Sequence, residues 1–113
     1  MKEIKAYLRP ERAEEVISEL ELNGAKGMTV IDVSVLGNWA DPRTSKLSME
    51  YCEKYCSSTK IELVCSDDEV DKIIDLIIQK SHTGHKGDGK IFVADISDAV
   101  SIRTKEHGIK ALG

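Results

Sequence analysis

The stretch Thr83-Gly84-His85-Lys86-Gly87-Asp88-Gly89-Lys90 places three glycines and two lysines in eight residues. Glycines let a backbone turn its N–H groups toward one point, and lysines beside them add cations. The chemistry this spacing suits is anion binding, phosphate above all. A flexible turn would need the glycines but not the lysines. Gly84 to Lys90 comes close to a P-loop and departs from it twice. Ile91 stands where a hydroxyl should reach magnesium, and the order is helix–loop–strand rather than strand–loop–helix. His82 and His85 flank the stretch and would add donors when protonated, although solvated histidines are the plainer account. Cys52 and Cys56 lie four apart, so a helical turn would bring both thiols to one side as a redox pair. A metal would need further ligands, and no His or other Cys lies near them in sequence, so no metal site is expected. His85 and Asp88 could be written as an acid–base pair, yet no nucleophile, base and orienting group form a set.

The elements that must hold these residues read as a repeat. Ile4, Ala6 and Leu8 alternate along a strand, and Pro10 sits where a helix accepts proline, at its first turn. Ala13, Val16, Ile17 and Leu20 follow at helical spacing, with Glu11, Glu14 and Glu15 near the positive end of the dipole. Asn23-Gly24 ends that helix. Met28 to Val35 alternates again, with Ile31, Val33 and Val35 on one face. A second unit starts near Thr59: Ile61, Leu63 and Cys65 line a strand, Ser66 to Glu69 spells a capping box, and Val70, Ile73, Ile74 and Ile77 form a helical stripe from Asp68 to about Lys80. Lys90 to Ile96 is the last and most apolar strand, and Cys65 reads as a small core residue. A double β-α-β in so short a chain predicts an α+β, ferredoxin-like fold, with four antiparallel strands and both helices on one face. The other face is left bare, which predicts self-association.

The 113 residues suffice for one domain and leave no room for two cores. At 41% hydrophobic and 32% charged, the chain can fill a core and cover it, so disorder is not its main state. A net charge of −4 argues against a protein that coats nucleic acid or an anionic membrane. No apolar run reaches the length of a membrane span, Met1-Lys2-Glu3-Ile4 begins no signal peptide, and three cysteines are an odd count. A cytoplasmic protein with reduced thiols is expected.

Between the two units lies a connection of 23 residues, Leu36 to Ser58, in a domain whose other links are short. Loops beyond about 12–15 residues are usually functional or disordered. Three of the chain's five aromatics, Trp39, Tyr51 and Tyr55, fall in it, where no core is expected to need them. Aromatics on such a loop suit a surface that grips a partner, and pinning the loop to the body is the alternative.

The run Thr83-Gly84-x-x-Gly87-Asp88-Gly89-Lys90-Ile91-Phe92-Val93 resembles the signature of the PII signal-transduction proteins, and Gly27-Met28-Thr29-Val30 and Ile102-Arg103-Thr104 resemble two further stretches of that family. The similarity runs without gaps from about Lys2 to Gly108. It implies one PII-like domain over residues 1–113, with the T-loop at about 36–58, a phosphate loop at 82–90 and a C-terminal segment at 97–113. It further implies a homotrimer that binds ATP, ADP or AMP in each cleft between subunits, holds no prosthetic group, and grips or releases a transporter, an enzyme or a regulator through its T-loop. Carried over residue by residue, Gly87, Asp88, Gly89 and Lys90 would hold the phosphates, with Arg103 adding a cation. Gly27, Met28, Thr29, Glu62, Leu63 and Val64 would meet the nucleoside, and Gly37 and Asn38 would stand at the loop base. Tyr51 falls where several members are nucleotidylated, although Ser48, Met49 and Cys52 around it do not match the usual context.

Four positions depart from the family. Asn38 and Trp39 stand where an Arg and a Gln are common, the Gln being the group that meets magnesium and 2-oxoglutarate. Ser58 replaces the Lys that pairs with 2-oxoglutarate, and Ser101 replaces one of two clustered Arg. Indole offers no acceptor to a metal, and each lost charge-assisted bond is worth roughly 1.5–3 kcal/mol. Arg43 and Lys46 lie on the same loop and could compensate. The expectation is an atypical member that takes ADP or AMP at least as well as ATP and ignores 2-oxoglutarate, with bicarbonate or another compact anion as a candidate second effector. The alternatives are an ordinary 2-oxoglutarate and ATP sensor, a small ferredoxin-like enzyme, and a structural trimer that binds no nucleotide.

Overall fold

The protein is described here by a computed structural model, which covers residues 1–48, 50 and 53–113. Among the described residues, five strands and two α-helices follow in chain order: β1 (Lys2–Leu8), α1 (Pro10–Leu22), β2 (Thr29–Leu36), β3 (Lys46–Ser48), β4 (Glu53–Cys65), α2 (Val70–Ser81) and β5 (Gly89–Asp95). The sheet order is β2-β4-β1-β5, every pairing antiparallel, with the short β3 added beside β4. This is the α+β, ferredoxin-like arrangement that the repeat predicts.

The local reasons match the sequence. Pro10 opens α1, where its missing N–H is one the helix would not use, and Gly24 follows Asn23 with φ +90 to let the chain leave. Alternation places Ile4, Ala6 and Leu8 of β1 beside Ile61, Leu63 and Cys65 of β4 on one face. That face packs on Ala13, Val16 and Leu20 of α1 and on Ile73 and Ile77 of α2, and together they form the main core. Burial raises the pKa of the Cys65 thiol, as suits a core residue.

Three boundaries differ from the sequence reading. Asp67–Glu69 forms a short 3-10 turn and α2 starts at Val70; the Ser66 hydroxyl meets the carboxylates of Asp68 and Glu69 rather than capping backbone N–H groups. The last strand begins at Gly89, whose φ of +109 lets it pass so close to β1 that a Cβ would lie 1.7 Å from the Tyr7 carbonyl oxygen. The long connection is also shorter than 36–58. The ladder between β2 and β4 continues through Val33↔Ser58, Val35↔Cys56 and Leu36↔Tyr55, so residues 53–58 are strand. Apolar alternation in β2 carries the pairing beyond Thr59, near which the second unit is expected to start.

The second face of the sheet is not bare at its loop end. Val35, Ala40 and Cys56 make a small second core, with Val33 and Trp39 packed against it. Trp39 also meets Tyr7 edge-on at 5.3 Å between ring centres and Phe92 at 6.4 Å, while Tyr7 and Phe92 lie 5.9 Å apart. The expectation that no core needs Trp39 is therefore corrected. It pins the loop base to the sheet, and edge-to-face aromatic pairs favour that position. Tyr51 and Cys52, the proposed modification site and one half of the proposed thiol pair, lie outside the described residues.

Replacing Ile61, fully buried on the central strand, by alanine should cost about 2–5 kcal/mol. Leu22→Ala, at the exposed end of α1, should stay within about 0.5 kcal/mol. Urea unfolding of both variants against the parent measures the contrast.

Candidate nucleotide and loop-base site

Arg9 follows β1 directly and is buried at 8% exposure, an unusual place for a guanidinium. Its position is fixed from both sides, by the sheet before it and by Pro10 of α1 after it. Its three nitrogens reach three partners. Nη1 donates to the Asp41 carboxylate, Nε donates to Asp88 Oδ1 at 3.2 Å, and Nη2 donates to the Lys86 carbonyl at 3.2 Å. One cation thus joins the end of β1, the base of the long loop and the glycine-rich loop.

Asp88 organises the glycine-rich loop from within. Its carboxylate accepts from the Thr83 N–H at 2.7 Å, the Gly84 N–H at 2.9 Å and the Thr83 hydroxyl, besides Arg9. Burial alone would raise its pKa, but the bonds from Thr83 and Gly84 and the one from Arg9 outweigh that and hold it well below the ordinary carboxylate range. With its acceptors turned inward, any part Asp88 plays toward a bound anion falls to its backbone N–H.

Asp41 is buried more deeply, at 2% exposure. Its carboxylate takes the Arg9 bond, the Arg43 N–H at 2.8 Å, and Arg43 Nε and Nη2 at 3.4 Å each. The hydrogen bond from Arg9, then those from Arg43, hold its pKa far below the usual range. Its own N–H lies 3.3 Å from Cys56 Sγ, and its carbonyl accepts from the Ser45 hydroxyl at 2.6 Å. A cavity of about 210 Å³ opens beside this pair, walled by Arg9, Trp39, Asp41, Tyr55, Ser58 and Gly87 among others. Ser58 spends its hydroxyl on the Leu8 carbonyl at 2.8 Å. Gly37 has φ +95 and open space around it, so glycine there serves the turn that ends in the Ala40 N–H to Gly37 carbonyl bond.

The residues singled out for the nucleoside fall together elsewhere. Gly27, Met28, Thr29, Glu62, Leu63 and Val64 line one shallow cleft of about 250 Å³, closed by Glu3. Thr29 pairs with Glu62 across β2 and β4, which fixes this wall. Gly89 and Lys90 begin β5, the other edge strand, where they pair with Leu8 and Tyr7 of β1, whereas Val64 and Glu62 of the cleft pair with Glu3 and Lys5. At about 3.3 Å per residue Lys90 lies about 13 Å along the strand from Glu3, so the two groups do not share one cleft within a chain. Arg103 stands exposed on a turn closed by the Lys105 N–H to Ser101 carbonyl bond at 2.8 Å, itself inside the Val100↔His107 bridge. His82 and His85 are exposed. Cys56 is buried in the second core. Among the described residues, no group of three His, Cys, Asp or Glu is placed to hold a metal.

Arg9 and Asp41 were not among the residues singled out from sequence. Only weak signals mark them, an arginine directly before the helix-opening proline and an Asp-Pro pair typical of a turn. Nothing local shows that residues 32 apart meet.

The family model described as nitrogen regulatory protein P-II matches residues 1–106. The nitrogen regulatory protein P-II 2 of Methanothermobacter thermautotrophicus is 42% identical over 112 residues, covering 99% of this chain and 97% of that one. The P-II protein of Pyropia yezoensis is 41% identical, covering 99% of this chain and all of its own. Among solved structures, Arabidopsis thaliana PII bound to citrate superposes with a TM-score of 0.78 at 35% identity, over 97% of this chain and 87% of that one.

The two lowered carboxylates set a pH dependence. Because the folded pKa values of Asp41 and Asp88 lie below their unfolded values, their contribution is complete above the ordinary carboxylate pKa near 3.9 and is lost as pH falls below it. Urea unfolding from pH 7 to pH 3 should show stability that falls steeply at the acid end. The Asp41→Asn, Asp88→Asn double variant should start lower at pH 7 and fall less. An equal slope in both proteins would separate acid sensitivity from these groups.

Proposed function

The chain belongs to the family of nitrogen regulatory proteins P-II, and on that premise we propose that it is a homotrimeric regulator that binds adenine nucleotide between its subunits. The observation that carries this reading is that the cleft of Gly27 to Thr29 and Glu62 to Val64 and the glycine-rich loop that leads into Gly89 and Lys90 do not meet within one chain. The wall of Gly27, Met28, Thr29 and Glu62 to Val64 serves the nucleoside of one subunit's ligand. Gly87, Gly89 and Lys90, from the facing edge of a neighbour, serve its phosphates, with the backbone of Asp88 beside them and Arg103 as a further cation. A mononucleotide carries its base and its phosphates on one ligand, and the two walls that would take them do not form one cleft within a chain, so a second copy completes the site.

The protein is a regulator in this reading and not an enzyme. It works in the cytoplasm and hands the state of its nucleotide to a transporter, an enzyme or a regulator through the loop between β2 and β4. No helix among the described residues is long and apolar enough to cross a membrane, which suits a partner that is met at a surface. Three features support independence from 2-oxoglutarate. Trp39 is packed toward Tyr7 and Phe92, the Ser58 hydroxyl is spent on the Leu8 carbonyl, and Ser101 offers no charge. Bicarbonate stands as the compact-anion effector to be tried, with Lys46 on the cavity wall as a cation toward it.

Calorimetric titration with ATP, ADP and AMP, each with and without 2-oxoglutarate or bicarbonate, tests the reading. Adenylate binding unchanged by 2-oxoglutarate is expected. Lys90→Ala should weaken it roughly 10- to 150-fold, the worth of one charge-assisted phosphate bond. Mutual tightening of Mg-ATP and 2-oxoglutarate would restore the ordinary sensor, and no adenylate binding would leave a structural trimer.

A further inference from the structure

The Asp41 carboxylate is surrounded as a bound anion would be. It sits at the wall of the 210 Å³ cavity with a side chain 3% exposed, against a guanidinium that is itself buried, and it accepts from Arg9 and from three nitrogens of Arg43. The backbone that carries it is anchored by Cys56, Thr44 and Ser45. The facing loop makes room for it as well. A Cβ on Gly87 would lie 2.5 Å from Asp41 Cβ and 2.8 Å from its Cα, so this seat exists only while residue 87 is glycine. Each nitrogen of Arg9 already has a partner, since Asp88 and the Lys86 carbonyl take the other two.

We propose that Asp41 is a tethered carboxylate ligand, which fills the anion position at the base of the long loop and thereby fastens that base to the glycine-rich loop through Arg9. Three consequences follow from the geometry. A free carboxylate finds the position already occupied by a covalently attached competitor, whose effective concentration no dissolved anion of ordinary abundance matches. The base of the long loop and the glycine-rich loop share one cation and so move as a unit. Removing the tether leaves a buried arginine short of one anion, and a small carboxylate can take that place.

The test uses the full chain and Trp39, the only tryptophan, which lines the same cavity. Thermal unfolding and tryptophan emission are recorded for the parent, Asp41→Ala and Asp41→Asn at pH 7, each titrated with sodium acetate or with sodium chloride at equal ionic strength. In the parent the two salts should give superimposable curves. Asp41→Ala should lower Tm by about 5 °C or more and shift Trp39 emission to the red, because a buried arginine loses its partner. Acetate, but not chloride, should then raise Tm and reverse the shift in a saturable way. Asp41→Asn keeps the shape without the charge, and should be destabilised yet indifferent to acetate. Acetate no better than chloride on Asp41→Ala overturns the proposal, as does an acetate response in the parent. Should Asp41→Ala not fold, parent-like Tm and emission in Asp41→Asn overturn it equally, since shape alone would then suffice. No nucleotide enters this test, so its outcome is independent of the adenylate titration.

Discussion

One guanidinium decides how the loops of this protein stand. Arg9 is buried between Asp41 and Asp88 and also meets the Lys86 carbonyl. Taking a charge out of water is costly, and mutual attraction offsets the cost only where geometry is good and further hydrogen bonds satisfy the remaining donors and acceptors. Here they do: Asp88 collects Thr83 and Gly84, and Asp41 collects Arg43. Each carboxylate therefore shapes its own loop while holding the shared cation, and neither loop can leave without stranding a buried charge. A core of the same size built from aliphatic side chains would bury the same surface but would not specify which loop residue meets which.

The fold supplies what that junction needs. Arg9 lies between the last residue of β1 and the first of α1, two elements locked by the main core. Its backbone is held by those two elements rather than by either loop. The loop base is brought near by the long β2–β4 ladder and held flat on the sheet by Val35, Ala40, Cys56 and the Tyr7–Trp39–Phe92 triad. The glycine-rich loop arrives from the other direction, between α2 and β5, and Gly89 lets it close against Tyr7 with no room for a side chain. Two loops from different halves of the repeat thus converge on the end of the first strand.

How far the sequence shows this depends on how local each feature is. The strands and helices follow from periodicity, and the helix limits from Pro10 and Asn23-Gly24, because hydrophobic alternation and caps are written over neighbouring residues. The cleft residues Gly27 to Thr29 and Glu62 to Val64 were legible through resemblance, and they do line one wall. Strand residues 53–58 fall in what the sequence reads as the connection, because the ladder with Val33 and Val35 is a property of two strands at once. Trp39 was misread for the same reason, since the rings that receive it sit on β1 and β5. The Arg9–Asp41 pair was invisible. No pattern within either segment distinguishes a salt-bridged aspartate from one in an ordinary Asp-Pro turn, and only the tertiary fold brings them together.

A chain of net charge −4 that is to hold phosphates must do so without an electrostatic surplus, and the arrangement of its acids shows how. Asp88, the carboxylate nearest the candidate phosphate site, faces Thr83, Gly84 and Arg9 rather than the open side of its loop. Asp41 likewise faces Arg9 and Arg43. Their charges are met by donors within the fold, so the field an incoming anion feels is set more by Lys90 than by the formal count. Pointing the acids inward also spends the cation that would otherwise attract any small anion to the loop base. Selectivity then follows from geometry: a short anion at the loop base finds Arg9 already paired with Asp41 and is left to Lys46 on the cavity wall, whereas a ligand that spans two subunits gains contacts on both.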